Sequence, residues 1–177
     1  QYALLQTEDE QKGQDVINLL VSARKGFLTE LPKHQMLIKH IVSTCQKLIE
    51  PKHASIPQLP DLLNAEQVFA IETALNHRFS IITGGPGTGK TFTAATLIKA
   101  HGGSVLIAAP TGKAASHLMD KVGAPGGTLH ALLGVFSVQD LDSVQKMLKA
   151  DLIVVDEASM IDPWMFAHLL KAIPDTS

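Results

Sequence analysis

Apolar and polar positions follow two different patterns along this chain, one on each side of residue 60. Between residues 8 and 51 apolar side chains recur every three to four positions, with Ile41, Cys45 and Leu48 on one stripe, which is typical of amphipathic helices. The later part instead contains three short runs built around consecutive apolar residues, "FSIIT" (79–83), "SVLIAAP" (104–110) and "DLIVVDE" (151–157). Such runs are typical of buried parallel strands.

Helical patterns separate and follow these three runs. They are "NAEQVFAIETAL" (64–75) and the stretches at 91–101, 113–121 and 162–172. Strands alternating with helices predict an α/β fold, a parallel sheet with helices on both faces. A proline-rich segment, "EPKHASIPQLPD", precedes it and reads as a linker. We therefore predict a helical region at 1–50, a linker at 51–61 and an α/β domain at 62–177.

Composition narrows the class of protein only slightly. The 177 residues are 45% apolar, with a net charge of −2, which argues against a globally basic nucleic-acid binder but allows a local binding patch. A single cysteine excludes an internal disulfide and a multi-cysteine zinc site. The sequence shows neither a signal peptide nor an apolar run of membrane-spanning length. We expect a cytoplasmic protein.

The segment "TGGPGTGKTF" (83–92) contains the pattern G-x-x-x-x-G-K-[ST] between a predicted strand and a predicted helix. This is the phosphate-binding loop, in which main-chain N–H groups surround an anion because few side chains obstruct them. Lys90 is expected to reach the β- and γ-phosphates, and the Thr91 hydroxyl to bind Mg²⁺. The predicted ATP-binding residues of the loop are Gly84, Gly85, Pro86, Gly87, Thr88, Gly89, Lys90 and Thr91.

A second half of a magnesium–nucleotide site follows about 65 residues later. The run "LIVVDE" ends in Asp156 and Glu157, directly after four aliphatic residues. In phosphate-loop enzymes such an aspartate holds Mg²⁺, and a neighbouring acid can deprotonate the attacking water. We therefore predict Lys90, Asp156 and Glu157 as catalytic residues, and Thr91 and Asp156 as the Mg²⁺ ligands.

Three weaker signals each permit two interpretations. Asn64 and Gln67 have the spacing of a helix capping box, and Gln67 is equally suited to hydrogen-bonding the adenine edge. Thr111, in "APTGKAASHL", is either a helix cap or, with Lys113, a contact to a phosphate of nucleic acid. His130, in "TLHALLG", is by itself more often structural than functional.

Taken together, the motifs "GGPGTGKT", "APTGKAA", "TLHALLG" and "LIVVDEASMID" resemble the RecD-type superfamily-1 DNA helicases, the family of the exodeoxyribonuclease V alpha subunit. The segment "LNAEQVFAIETAL" is similar to the adenine-reading helix of that family. The resemblance spans about residues 60–174. It implies a P-loop NTPase fold with a partial RecA-like parallel sheet, flanking helices and a small helical region at the N-terminus.

The resemblance also implies a function. The family uses ATP and Mg²⁺ to translocate 5′ to 3′ on single-stranded DNA, in repair and recombination, together with the beta and gamma subunits of exodeoxyribonuclease V. Gln67 would then read adenine, Asp156 would bind magnesium and Glu157 would be the catalytic acid. The residues that would contact single-stranded DNA are Thr111, Lys113, Thr128 and His130. The chain shows no carboxylate cluster suited to a nuclease.

The chain departs from the family pattern in its length. A helicase of this superfamily needs a second RecA-like domain that supplies an arginine, whereas Arg24 and Arg78 are the only arginines here and neither is placed for that role. We expect a first RecA-like domain truncated after the Asp–Glu strand and its following helix. Alone, it would bind nucleotide weakly and would not unwind DNA.

The truncation also predicts a defect in the sheet. The strand expected just after Ser177 would lie between the strands at 79–83 and 151–157. Those two strands should either pair directly or leave a slot that another segment or another chain fills, which would permit self-association through the incomplete sheet.

Two other functions fit parts of the pattern. The chain is alternatively a non-catalytic assembly module, in which nucleotide only tightens the fold, or another phosphate-loop ATPase such as a loader. The segments "APTGKAA" and "TLHALLG" argue against the loader.

Overall fold

The computed structural model describes residues 2–3, 41, 43–45, 48, 56–85, 87–135 and 147–173. These residues form one sheet of four parallel strands. The strands are β1 (Tyr2–Ala3), β2 (Val105–Ala109), β3 (Gly126–Thr128) and β4 (Leu152–Val155). Their order across the sheet is β1-β4-β2-β3.

The central pair of strands, β2 and β4, confirms two of the three predicted strands, each shortened at its ends. All four residues of β4 are buried, as are the last three of β2. Val105 lies opposite Leu152 and Ala108 opposite Val155. One further ladder bond, from the Asp156 N–H to the Ala108 carbonyl at 2.9 Å, fixes the first acidic residue at the carboxyl end of the sheet.

Five α-helices whose bounds lie within the described residues accompany the sheet. They are α1 (Ala65–Asn76), α2 (Lys90–His101), α3 (Gly112–Val122), α4 (Leu129–Leu133) and α5 (Pro163–Ala172), with a 3₁₀ turn at Ala158–Met160. Local sequence sets several of their ends. Asp162 caps α5 by accepting from the Trp164 and Met165 N–H groups, and α2 ends at Gly102, whose φ is 69°.

The core consists of two apolar clusters, one on each face of the sheet. Ile153 and Val155 of β4 belong to the cluster that includes α4 and α5 side chains. Leu152 and Val154 belong to the other, which includes α1 and α2 side chains. Because successive strand residues point to opposite faces, the continuous apolar run of β4 serves both clusters. The α/β fold with a doubly covered partial sheet is confirmed.

Part of the predicted N-terminal helical region is described. Ile41, Cys45 and Leu48 are helical and buried, and they share a cluster with Phe79 of the predicted ATPase domain. Burial raises the pKa of the Cys45 thiol to about 12, so this thiol is unreactive at neutral pH. The helix predicted near the start of the chain lies outside the described residues, and the division at 50–61 stays a proposal.

The strand predicted at 79–83 is wrong. Phe79, Ser80 and Ile82 are buried, as a core strand requires, but the segment contains only an isolated bridge residue, Ile82. A strand needs a neighbour to complete its hydrogen-bond ladder. The edge of β4 away from β2 is paired with β1, so among the described residues no β4 edge is left for this segment.

The pairing of β1 also bears on the predicted slot. Tyr2 lies opposite Ile153 and Ala3 opposite Val154, so another segment of the same chain occupies this edge of β4. Because no strand forms at 79–83, the predicted slot between two strands is not found there. The pairing of β1 leaves self-association through that edge without support.

The short strand β3 was not predicted. Its sequence, Gly-Gly-Thr, is poor in the branched and aromatic residues that usually indicate strands. Glycine is nevertheless required here, because a Cβ on Gly126 would collide with the main chain of Ile107 on β2. Close approach of two backbones therefore explains Gly126.

No helix in the described ranges is both long enough and apolar enough to cross a membrane.

Candidate nucleotide-binding site

One cavity, of about 290 Å³, joins the two predicted halves of the site. The phosphate loop contributes Gly84, Lys90 and Thr91 to its wall, and the end of β4 contributes Asp156 and Glu157. The two motifs are far apart in sequence. They meet because the loop precedes α2 and the acids follow β4, at the carboxyl edge of the sheet, where ligands of open α/β folds bind.

The phosphate loop depends on glycine at defined positions. Gly87 and Gly89 have φ angles of 78° and 83°, which side-chain-bearing residues rarely adopt. A Cβ on Gly84 would stand 2.5 Å from the Thr88 hydroxyl oxygen, so this position has no room for a side chain. The sequence therefore specifies a tight backbone turn in front of α2.

Lys90 folds back over this turn. Its ammonium Nζ donates to the carbonyl oxygens of Gly84 at 2.7 Å and Gly85 at 2.9 Å. A phosphate oxygen carries more negative charge than a carbonyl and makes a stronger, charge-assisted bond to an ammonium. Lys90 is thus held inside the loop as a cation that can exchange these carbonyls for phosphate.

The first turn of α2 supplies the second feature of an anion site. Helix N-termini present unpaired N–H groups and the positive end of the helix dipole. Lys90 and Thr91 are the first two residues of α2, and their side chains line the cavity. The Thr93 N–H, by contrast, already donates to the Gly89 carbonyl at 2.8 Å, so the helix ladder begins there.

At the opposite wall, the two acidic residues differ in backbone conformation. Asp156 Oδ1 accepts a hydrogen bond from the Glu157 N–H at 2.9 Å, which orients the aspartate carboxylate. Glu157 has φ 53° and ψ 38°, and it is the only non-glycine residue with positive φ within the described residues. This conformation costs about 1–2 kcal/mol, and such strain clusters at functional sites.

The donor set fits Mg²⁺. The Thr91 hydroxyl and the Asp156 carboxylate are hard oxygen donors on the wall of one cavity, and Mg²⁺ is typically held by one or two carboxylates together with substrate phosphates. No group of three or more His, Cys, Asp or Glu residues suited to a metal occurs in the described ranges. A cage made of protein ligands alone is therefore not the arrangement in this part of the chain.

Gln67 takes part in a capping box and also contacts the phosphate loop. Asn64 Oδ1 accepts from the Gln67 N–H at 2.8 Å, and Gln67 Oε1 accepts from the Asn64 N–H at 3.1 Å, which confirms the predicted capping box. Gln67 Nε2 also donates to the Thr88 carbonyl at 3.3 Å. Adenine recognition by Gln67 stays a prediction.

The four predicted nucleic-acid contacts follow β2 and β3, at the same sheet edge. The Thr111 hydroxyl caps α3 by accepting from the Ala114 N–H at 3.3 Å, and the Thr128 hydroxyl caps α4 in the same way at 3.2 Å. Lys113 and His130 are exposed. The capping interpretation of Thr111 is confirmed, the cap at Thr128 was not predicted, and contact with nucleic acid stays a prediction for all four.

Two cavity-lining hydroxyl residues were missed from the sequence. Thr83 precedes the phosphate loop and Ser159 lies two residues after Glu157. Neither belongs to the motif patterns, and closeness in sequence to a motif is the one signal that pointed to them. A phosphate loop that faces an Asp–Glu pair across one cavity places this protein in the phosphate-loop NTPase class of folds.

Comparison with known families agrees. The chain belongs to the AAA domain family, whose profile matches residues 67–177, the part that contains the phosphate loop and the acidic pair. The resemblance to RecD-type superfamily-1 helicases is also confirmed.

Individual relatives show where the similarity lies. The chain is 38% identical over 143 residues to the RecBCD enzyme subunit RecD of Haemophilus influenzae, covering 62% of this chain and 22% of that protein. It is 37% identical over 115 residues to the ATP-dependent RecD2 DNA helicase of Deinococcus radiodurans, covering 63% and 16%. A regulator of nonsense transcripts 1 homolog of Drosophila melanogaster is 49% identical over 77 residues, covering 41% and 6%. The chain thus matches less than a quarter of each of these relatives.

Proposed function

We propose that this chain is the ATP-binding part of a 5′-to-3′ DNA helicase subunit that couples ATP hydrolysis to translocation on single-stranded DNA. The observation that carries the proposal is the cavity shared by the phosphate loop and the Asp156–Glu157 pair. An assembly module that used nucleotide only for stability would need the loop but not an acid poised for hydrolysis.

Each residue of the site has a distinct role in this proposal. Lys90 leaves the carbonyls of Gly84 and Gly85 and binds the β- and γ-phosphates of ATP. Glu157 accepts a proton from the attacking water. Because phosphoryl transfer is catalysed mainly by positioning and charge, the fixed orientation of Asp156 and the strained backbone of Glu157 matter as much as their chemistry.

Thr91 and Asp156 would hold Mg²⁺. The ion would supply positive charge that neutralises the phosphate oxygens. The main-chain N–H groups of the loop and the N-terminus of α2 would bind the phosphates from the other side.

Single-stranded DNA would contact the carboxyl ends of β2 and β3 through Thr111, Lys113, Thr128 and His130. Support comes from the exposure of Lys113 and His130 and from two helix N-termini, those of α3 and α4, at the same edge. Helix N-termini and cationic side chains bind phosphates without reading sequence. The surface that binds single-stranded DNA would thereby lie on the same sheet edge as the ATP site.

The similarity to proteins named as RecBCD enzyme subunits extends the proposal to partners. The protein would work in the cytoplasm, in DNA repair and recombination, with the beta and gamma subunits of exodeoxyribonuclease V.

Replacement of Lys90 by alanine in the complete protein and its complex tests the proposal. Loss of the ammonium removes the main cation of the phosphate loop, and we expect DNA-stimulated ATP hydrolysis to fall by roughly 10²-fold or more. Complex assembly, measured by size-exclusion chromatography, should be unchanged. Lys99→Ala, on the last turn of the same helix, is a matched control. ATP hydrolysis that survives Lys90→Ala would contradict the catalytic role.

Single-stranded RNA is a second candidate for the nucleic acid along which the protein would move. The relative named for its regulation of nonsense transcripts has the higher identity, 49%, although over 77 residues only. Stimulation of ATP hydrolysis by single-stranded DNA and by single-stranded RNA of the same sequence separates the two. The longer similarity to RecD proteins predicts the stronger effect for DNA.

A further inference from the structure

Thr88 lies in the middle of the phosphate loop and is held by contacts on several sides. Its hydroxyl donates to the Gly85 carbonyl at 2.9 Å, and its own carbonyl accepts from Gln67 Nε2 at 3.3 Å. The Thr88 hydroxyl oxygen also lies 2.5 Å from the position that a Cβ on Gly84 would take. The loop is thus tied within itself by the Thr88 side chain and to α1 by the Thr88 main chain.

The tie to α1 matters because the residues flanking Thr88 are flexible. Gly87 and Gly89 both adopt positive φ, and glycine loses more conformational freedom on becoming ordered than any other residue. A loop of this composition is costly to fix around a ligand unless other contacts hold it in shape beforehand. Gln67 supplies such a contact, and a Cβ on Gly89 would stand 2.8 Å from its Nε2.

The Gln67 amide has enough hydrogen-bonding capacity to hold the loop and still bind a base. A glutamine amide has two N–H donors and two acceptor lone pairs on its oxygen. One lone pair accepts from the Asn64 N–H and one donor goes to the Thr88 carbonyl. One donor and one acceptor remain, which match a base edge that presents one acceptor and one donor.

We propose that Gln67 and Thr88 are positioning residues of the phosphate loop, so that binding of the phosphates themselves depends on Gln67. This inference rests on the proposed ATP binding. The inference distinguishes two roles of Gln67, positioning of the phosphate loop and recognition of the base. A residue that only recognises the base would have no effect on the binding of a ligand that lacks a base.

Inorganic tripolyphosphate with Mg²⁺ is the base-free probe. In isothermal titration calorimetry on the 177-residue chain, Gln67→Met removes the amide at nearly constant volume and should weaken binding of both ATP and tripolyphosphate. Loss of one neutral hydrogen bond predicts about a threefold to tenfold change for tripolyphosphate. Thr88→Val, which loses the hydroxyl, should weaken both ligands, and Thr88→Ser should restore both.

Asn64→Ala is the matched control for helix stability. It removes the cap on the Gln67 N–H but leaves the bond from Gln67 Nε2 to Thr88, so tripolyphosphate binding should stay within twofold of wild type. If Gln67→Met weakens ATP alone, or if Asn64→Ala weakens tripolyphosphate equally, the positioning role is wrong. Binding of neither ligand by the wild-type chain would instead contradict the proposed function, and this inference with it.

Discussion

At Glu157 a strained backbone coincides with the proposed catalytic role. Its φ of 53° suits glycine or asparagine better than glutamate, yet this backbone places the residue on the wall of the shared cavity. The 3₁₀ turn that follows preserves the arrangement, since the Met160 N–H donates to the Glu157 carbonyl at 3.0 Å.

We predict that Glu157→Gly increases the free energy of unfolding by up to about 1 kcal/mol, because relief of strain exceeds the added freedom of the unfolded chain. Urea denaturation measures this change. Glu157→Gln keeps the strain and should leave stability within about 0.5 kcal/mol of wild type. If the Glu157→Gly chain is less stable than the Glu157→Gln chain, backbone strain at residue 157 does not lower the free energy of unfolding.

Substitution of Glu157 should affect catalysis differently from stability. In the complete protein, Glu157→Gln removes the proton acceptor and should lower the rate of ATP hydrolysis by roughly 10²–10⁴-fold, with ATP affinity nearly unchanged. Steady-state kinetics combined with nucleotide titration separates the two quantities. Hydrolysis within tenfold of wild type would assign the base to another residue.

At the residue scale, the sequence indicated which side chains meet in one cavity but not how they are held. The motif spacing placed Lys90, Thr91, Asp156 and Glu157 in one site, and all four line the same cavity. The bond between Gln67 and Thr88 was not predictable, because it joins residues 21 apart through a main-chain carbonyl. The strained backbone of Glu157 leaves no pattern in the sequence either.

At the scale of elements, the ends of β2 and β4 opposite the site are held together by polar contacts. Asp151 Oδ2 accepts from the Ser104 hydroxyl at 2.6 Å and from the Ser104 N–H at 2.9 Å. The Asp151 and Leu152 N–H groups both donate to the Ser104 carbonyl. These bonds fix the register of the two central strands, and that register sets the position of Asp156 relative to the loop.

This contact predicts a pH dependence of stability. Hydrogen bonds from Ser104 lower the pKa of the Asp151 carboxyl below its ordinary value of 3.8. The folded state therefore favours the ionised form, and this stabilisation is present above pH 3.8 and is lost as the pH falls through the lowered pKa. Asp151→Asn should flatten the acid side of the stability curve relative to wild type in urea titrations from pH 5 to pH 2. An unchanged acid slope would contradict the assignment.

Predictability also varied among the elements. Continuous aliphatic runs indicated β2 and β4, and helical periodicity indicated α1, α2, α3 and α5. The segment at 79–83 has the composition of a strand, but composition does not say whether a neighbour is present to pair with it. The sequence of β3 resembles a loop because of its two glycines, yet the missing side chain of Gly126 allows close pairing with β2.

Substitution of Gly126 tests directly whether close pairing of β3 with β2 depends on the absence of a side chain. We predict that Gly126→Ala lowers the free energy of unfolding by about 1–3 kcal/mol, as expected for overpacking, because its Cβ would meet the Ile107 main chain. Gly112→Ala is the control, since a Cβ there meets nothing within 4 Å. Equal stability of the two variants would mean that β3 adjusts without cost.

At the scale of the whole molecule, the sheet brings the two activities of the proposed motor to one edge. The acidic pair and the caps of α3 and α4 lie at the carboxyl ends of strands or directly beyond them, and the phosphate loop lines the same cavity as the acidic pair. Parallel strands make this unavoidable, because every connection from a strand end begins at that edge. A change of nucleotide state at the loop is therefore close to the surface proposed to bind single-stranded DNA.

The central claim is that this cavity binds Mg-ATP through the phosphate loop and the acidic pair. Titration of the 177-residue chain with Mg-ATP in a calorimeter, for wild type and for Lys90→Ala, tests it most directly. The account predicts one ATP bound per wild-type chain and an affinity at least tenfold weaker for Lys90→Ala. Equal affinity of the two chains, or no binding by the wild type, would contradict it.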